Sequence, residues 1–283
     1  MNAAPFQLVS PSGEESPVVV EIPHAGTDVP SRFLATLVAP ARSLGRDADL
    51  YVDSLYADAP DVGASLLIAR VSRYVIDLNR GEADVDADVV ENGPQAPRYN
   101  HGLVWRTTSD GDRALSRPLT RLELEDRLDA VYRPYHRALA TELERKRQKF
   151  GVAVLLAAHS MPSVGRSTGG APGVVRADVV PGTRGRTTAA VALIDAVDAL
   201  ARTRKWSVRH DDPYAGGFAT QHYGRPENGV HAVHVELSRR LYLDESTLAP
   251  RASEFDGVRA WCKDLVASLG RAAMALGPRP RFP

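Results

Sequence analysis

Residues 151–158 read Gly-Val-Ala-Val-Leu-Leu-Ala-Ala and run straight into His159-Ser160-Met161-Pro162. So continuous an apolar run lacks the alternation of a strand with one wet face, so both faces of this strand must be covered. That requirement favours a central strand packed between helices and disfavours an open meander. Other segments agree with it. Pro17-Val18-Val19-Val20-Glu21-Ile22 is a first strand, stopped by Pro23 and Gly26, and Ser65 to Val71 and Tyr74 to Leu78 are two further runs rich in Val, Ile and Leu. Val230 to Leu237 alternates more cleanly and reads as a strand that ends at the surface of a site.

Helical patterns separate these runs, which points to a layered α/β domain. Thr120-Arg121-Leu122-Glu123 is a capping-box pattern, in which the Thr and Glu side chains satisfy N–H groups at a helix start. Leu128, Tyr132, Tyr135, Leu139 and Leu143 follow at three- and four-residue steps, giving one apolar face with a kink expected at Pro134. Thr187 to Lys205 and Ser253 to Leu276 are two further helices. Residues 81–119 are rich in turn formers and read as a long irregular excursion. Pro278-Arg279-Pro280-Arg281 reads as a fraying tail.

Composition removes several function classes. Lys+Arg and Asp+Glu each number 35, whereas a nucleic-acid binder shows a basic surplus. No apolar run approaches the roughly 20 residues that span a bilayer, so neither nucleic acid nor membrane is an expected partner. The opening MNAAPFQLVSPSGEESP lacks a basic stretch followed by an apolar one, and a cytoplasmic enzyme is the expectation. Cys262 is the single cysteine. It can form neither an internal disulfide nor a thiolate zinc cluster, so a metal here must be held by His, Asp and Glu.

Two histidines stand just past apolar strands: His24 in Ile22-Pro23-His24-Ala25-Gly26, and His159 after the 151–158 run. Strand C-termini are where ligand sites gather in α/β folds. One such histidine is as easily a loop residue fixed by a backbone hydrogen bond; two could converge as metal donors, with a carboxylate as third ligand. Asp47, Asp49 and Asp53 offer carboxylates, Asp49 and Asp53 sharing a face if the segment opens a helix. Acids at a helix start also stabilise its dipole, which is the competing explanation. Asp84, Asp86 and Asp88 read as solvated loop acids. Glu236 is a carboxylate inside an apolar strand, costly to bury unless paired or functional, and is a candidate general base. His234, two residues earlier on the same face, makes a rival metal pair with Glu236. His222 and His231 are further candidates, although such histidines are more often ordinary polar residues. Asn79 and Arg80 suit a substrate carboxylate, Arg through its planar fork, although an arginine paired with Asp77 is the commoner arrangement. Ser160 lacks the G-x-S-x-G context of a serine nucleophile, and no Walker A loop or dinucleotide fingerprint is present.

Taken in order, Pro23-His24-Ala25-Gly26, Asp47-Ala48-Asp49, the run SRYVIDLNR ending at Arg80, Pro134-Tyr135-His136, His159-Ser160-Met161 and Gly217 through Glu236 resemble the N-formylglutamate amidohydrolase family, relatives of the zinc carboxypeptidases, from about residue 18 to about residue 245. The resemblance implies a three-layer α/β/α fold with a mixed central sheet, phosphorylase/hydrolase-like, in one catalytic domain over residues 1–283 holding one zinc ion. It implies His24 and His159 as metal ligands, Glu236 as the catalytic carboxylate, and Asn79 and Arg80 as holders of a substrate carboxylate. Carboxypeptidases take their acidic ligand three residues after the first histidine, where this chain has Thr27, so that ligand is assigned to Asp49 with Asp47 as fallback. Many relatives carry Asp two residues before the second histidine; Ala157 stands there, removing an acid that would orient a ligand. The implied reaction is hydrolysis of the formamide of N-formyl-L-glutamate, or of a related N-formyl or N-acyl amino acid, within histidine degradation. A carboxypeptidase-like or other N-acyl amino acid deacylase, and a metal-free binder of small carboxylates, are the alternatives. N-formylglutamate has two carboxylates, and Arg184, in a turn before the Thr187 helix whose amides also favour an anion, is assigned to the second.

Overall fold

Six strands, β1 (Phe6–Val9), β2 (Val18–Ile22), β3 (Ser65–Ala69), β4 (Ala153–Met161), β5 (Val179–Gly182) and β6 (Val230–Ser238), form one sheet in the order β1-β3-β2-β4-β6-β5. This is the architecture of a computed structural model that describes residues 4–93, 101–165 and 173–276. β2 and β6 flank β4 in parallel, with Glu21 opposite Ala157 and His159 opposite Glu236. β5 runs antiparallel to β6, which makes the sheet mixed. Every residue of β4 is buried, as its unbroken apolar sequence requires, and each Val or Leu in it contributes about 1.5–3 kcal/mol by leaving water.

Helices cover both sides of the sheet: α1 (Ser31–Leu34), α2 (Ala41–Asp47), α3 (Val52–Leu55), α4 (Arg121–Arg127), α5 (Arg133–Phe150), α6 (Val191–Thr203), α7 (Phe218–Tyr223) and α8 (Ala252–Ala275). Thr120 and Glu123 close the expected capping box at the start of α4. Ahead of Pro134, residues Leu128–Tyr132 widen into a π-helical turn that joins α4 to α5. Pro134 has no N–H for the carbonyl of Ala130, and the wider turn accommodates that loss. Among the described residues no helix is long and apolar enough to cross a membrane.

Contacts divide the chain into two compact units. In the first (1–8, 22–50 and 67–140), Val89, Val90, Val104, Leu115 and Leu119 form one buried cluster, and Tyr74, Trp105 and Ala114 another. In the second (9–21, 51–66 and 141–283), α8 packs against α6 and β4, with Trp261, Leu265, Val266 and Leu269 buried.

Several expectations need correction. Tyr74 to Leu78 is buried but is not a strand. Val75 N–H donates to Ser72 O and Asp77 N–H to Leu103 O, so this backbone is committed to a turn and a loop. The helix expected from Thr187 begins at Val191, because the Thr187 and Thr188 N–H groups turn back to Thr183 O. β1 and β5 were not anticipated; β5 is four residues long and ends in Pro181-Gly182, which reads as a turn. The 81–119 excursion carries no helix or strand among its described residues. Its residues 94–100 and the Pro278–Arg281 tail lie outside the described part.

Candidate active site

His24 follows β2 by two residues and is buried. Its carbonyl accepts the Asp49 N–H at 2.9 Å, and its Nε2 lies 2.7 Å from Asp77 Oδ1. A carboxylate offers only acceptors, so the Asp77 contact calls for a hydrogen on Nε2 and leaves Nδ1 as the nitrogen toward Asp49. Nδ1 faces Asp49 Oδ2 at 3.6 Å, and Arg73 Nη2 lies over the ring edge, 2.8 Å from Nδ1 and 2.9 Å from Nε2. Burial and the Arg73 cation both oppose a charge on the ring, yet Asp77 and Asp49 outweigh them and the His24 pKa is raised. Asp77 is fully buried and also accepts from Trp105 Nε1 at 2.9 Å, Asn79 N–H at 2.9 Å and Arg73 Nη2 at 3.3 Å. Burial would raise its pKa; His24, Arg73 and Arg80 hold it well below the ordinary carboxylate value. Gly26 is required beside this histidine, since a Cβ there would stand 2.3 Å from the Arg70 carbonyl.

The two candidate acids part company. Helix α2 ends at Asp47, Ala48 is extended, and α3 does not start until Val52, behind Tyr51 in the left-handed region. Asp49 and Asp53 therefore do not share a helical face, contrary to expectation. Asp47 is committed elsewhere: its Oδ2 accepts from the Tyr74 hydroxyl and from Ser109 N–H at 2.9 Å. Burial and then that carboxylate raise the Tyr74 pKa. Asp49 is turned toward His24.

His159 lies inside β4 rather than one step beyond a strand, and its neighbour across the ladder is Glu236. One ligand atom each from His24, Asp49 and His159 lies within 4.8 Å of the others, and all three residues are buried. Two zinc bonds of about 2.0–2.1 Å meeting at a tetrahedral angle hold their donors roughly 3.3 Å apart. The 3.6 Å between His24 Nδ1 and Asp49 Oδ2 suits that span, and two imidazoles with one carboxylate form a donor set of the kind that holds a divalent ion such as zinc. His234 and Glu236, the rival pair, bond each other instead, Nε2 to Oε1 at 3.0 Å.

Asn79 is buried and Arg80 half-buried behind Asp77 in sequence. Arg80 Nε donates to His101 O at 2.9 Å and Nη1 to Asn79 O at 3.0 Å, which fixes the plane of the guanidinium. His101 stacks on Trp105 at 4.0 Å between ring centroids, and the Arg73 guanidinium lies 4.6 Å from the Trp105 ring centroid. Arg184 sits exposed at φ 51°, with Nη1 donating to Gly216 O at 3.2 Å. The amides of its turn hold the chain's own Asp211: Thr183, Arg184 and Gly185 N–H donate to that carboxylate at 2.7, 3.1 and 2.8 Å, and the Thr187 and Thr188 amides, expected to open a helix facing the anion, donate to Thr183 O. The loop acids are not simply solvated either. Asp86 is buried and caps Asp88 N–H, and Asp88 pairs with Arg106 at 2.7 Å. Sequence reasoning passed over Arg73 and Trp105 and took Asp77 only as a partner for an arginine. The signal for Asp77 was present, because Val75-Ile76-Asp77-Leu78 buries an acid in an apolar run just as β6 buries Glu236.

The profile of the N-formylglutamate amidohydrolase family matches residues 16–243. The chain belongs to that family. The N-formylglutamate deformylase of Pseudomonas aeruginosa is 36% identical over 260 residues, spanning 89% of this chain and 92% of the relative. The Pseudomonas putida enzyme of the same name is 33% identical over 235 residues, spanning 81% and 83%. The crystal structure of N-formylglutamate amidohydrolase from Ralstonia eutropha JMP134 superposes with a TM-score of 0.85 at 31% identity, covering 95% of this chain and 98% of that one. As a member of the N-formylglutamate amidohydrolase family, the chain is a hydrolase, and the mixed α/β sheet is the architecture of that relative.

Proposed function

We propose that the chain hydrolyses the formamide bond of N-formyl-L-glutamate, releasing formate and glutamate, at a zinc ion held by His24, Asp49 and His159. One observation carries this reading: three buried donors of the right chemistry within 4.8 Å of one another in a member of this family. The two Pseudomonas relatives are named as N-formylglutamate deformylases, which supports the substrate. Zinc, when bound, makes its water more acidic and polarises a carbonyl oxygen. Asn79 and Arg80 hold the α-carboxylate, and Arg184 the side-chain carboxylate. Arg73, beside His24, offsets negative charge that develops on the formyl oxygen as water adds. Glu236 accepts the proton of the attacking water and delivers it to the amine nitrogen as the C–N bond breaks. The whole chain works as one catalytic domain.

The test is an assay of purified, metal-analysed protein against N-formyl and N-acetyl amino acids and short peptides. About one zinc per chain is expected, with N-formylglutamate the fastest substrate. His24→Ala and His159→Ala should lose metal and turnover together, and Asp49→Asn should lose far more metal than Asp47→Asn. A zinc-supplemented protein that binds no metal and hydrolyses nothing on the panel refutes the reading.

A further inference from the structure

We infer that His234 is a positioning residue for Glu236, fixing one carboxylate oxygen so that the other alone meets the reacting water; the inference rests on Glu236 being the general base proposed above. The two residues are i and i+2 on β6, so their side chains share a face of the sheet. On β4 that row is continued by Ala157, opposite His234, and His159, opposite Glu236. On β5 it is continued by Gly182, opposite His234, and Val180, opposite Glu236. Glu236 thus sits between a histidine and a valine, and neither strand supplies it with a hydrogen-bonding side chain other than His159. The terminal torsion of a glutamate is broad and roughly two-fold, so nothing intrinsic holds the carboxylate plane. His234 supplies the constraint, with Nε2 3.0 Å from Glu236 Oε1. The carboxylate can only accept, so Nε2–H is the donor and Nδ1 is the bare nitrogen.

The imidazole ring is packed against that of His159, 4.4 Å between centroids and tilted by 33°. Opposite His234 on β5 stands Gly182, which brings no side chain to compete for the ring. With one donor on Oε1, Glu236 Oε2 is buried and without a hydrogen bond among the described residues. That oxygen is the one left open to a water.

His234→Leu, His234→Gln, Glu236→Gln and the His234→Leu/Glu236→Gln double variant, assayed with zinc analysis, test this. Losing a residue that orients a reacting group costs roughly 10–100-fold. His234→Leu should lower kcat by that factor with KM and metal content unchanged. His234→Gln, whose amide N–H can reach the same oxygen, should recover most of the loss. In the Glu236→Gln background, His234→Leu should change kcat less than about twofold, because the oxygen it positions no longer serves. Should His234→Leu fail to fold, 15N-histidine spectra of the wild type still decide, since the inference requires His234 as its Nε2–H tautomer. Unchanged kcat in His234→Leu, loss of metal, no rescue by Gln, an undiminished effect in the Glu236→Gln background, or an Nδ1–H tautomer each overturns it. Wild-type turnover in Glu236→Gln would instead sink the base assignment, and the inference with it.

Discussion

Replacing Asp77 by asparagine tests the metal centre without touching a proposed ligand. Four donors converge on the two oxygens of Asp77: His24 Nε2 and Asn79 N–H on Oδ1, and Trp105 Nε1 and Arg73 Nη2 on Oδ2. An amide of the same shape has one oxygen and one NH2. With its oxygen toward His24, the NH2 confronts Trp105 and Arg73, two donors left without an acceptor in a buried setting. Each costs about 1–3 kcal/mol, so the metal-free variant should lose roughly 2–6 kcal/mol of stability, a large share of the 5–15 kcal/mol typical of a domain. With the amide flipped, the NH2 faces His24 Nε2 instead. The ring then moves its hydrogen to Nδ1, the nitrogen that faces Asp49, and loses the lone pair a metal needs.

Either orientation weakens zinc binding. Carboxylates placed behind a ligating histidine are worth about 10–100-fold in metal affinity, or roughly 1.4–2.7 kcal/mol. Urea unfolding of the metal-free protein reads the first quantity, and competition with a chelator of known affinity reads the second. Saturating zinc should restore much of the activity, because every proposed ligand is still present. An Asp77→Asn variant with wild-type stability and wild-type zinc affinity refutes the argument that this network orients His24.

Two further predictions address stability and specificity. Glu15 accepts from Arg145, Lys149 and the buried Lys146; the Arg145 bond above all holds its carboxyl below the ordinary range. A depressed folded pKa stabilises above the unfolded value of about 4.3 and is lost as pH falls through the folded value, so Glu15→Gln should cost on the order of 2–3 kcal/mol at pH 7. That cost should shrink toward pH 3 in urea titrations, and a pH-independent cost would count against the ion-pair account. For substrate choice, a charge-assisted contact of about 1.5–3 kcal/mol predicts at least about tenfold preference for N-formylglutamate over N-formylglutamine in kcat/KM. Arg184→Ala should flatten that preference while Arg80→Ala weakens both substrates; equal wild-type rates would defeat the glutamate-specific assignment.

How legible the molecule was in its sequence depended on whether the deciding interaction is local. β4 announced itself because burial on both faces forces a continuous apolar run, and Thr120 announced α4 because a capping box closes within four residues. β5 could not, since a four-residue strand ending in Pro181-Gly182 exists only by pairing with β6. The Tyr74–Leu78 run has strand composition, yet Asp77 N–H is taken by Leu103 from the far side of an irregular loop. The choice between Asp47 and Asp49 was illegible for the same reason. It turns on Tyr74 and Ser109 claiming Asp47, and on a backbone hydrogen bond that ties Asp49 to His24.

Two acids stand inside apolar runs, Glu236 and Asp77, and both are buried, but the structure divides them into two kinds. Burying a carboxylate is expensive unless hydrogen bonds compensate, so its partners report what it is for. Asp77 has both oxygens saturated, and protonating it would break bonds to His24, Trp105, Asn79 or Arg73. It is held well below the ordinary carboxylate pKa accordingly, which suits an acceptor that orients a neighbour and never turns over. Glu236 has one oxygen held by His234 and the other bare among the described residues. A proton can reach that bare oxygen without breaking a protein hydrogen bond. Of the two buried acids, Glu236 is therefore the one with an oxygen open to a proton, and that difference in partners supports proposing Glu236 rather than Asp77 as the base.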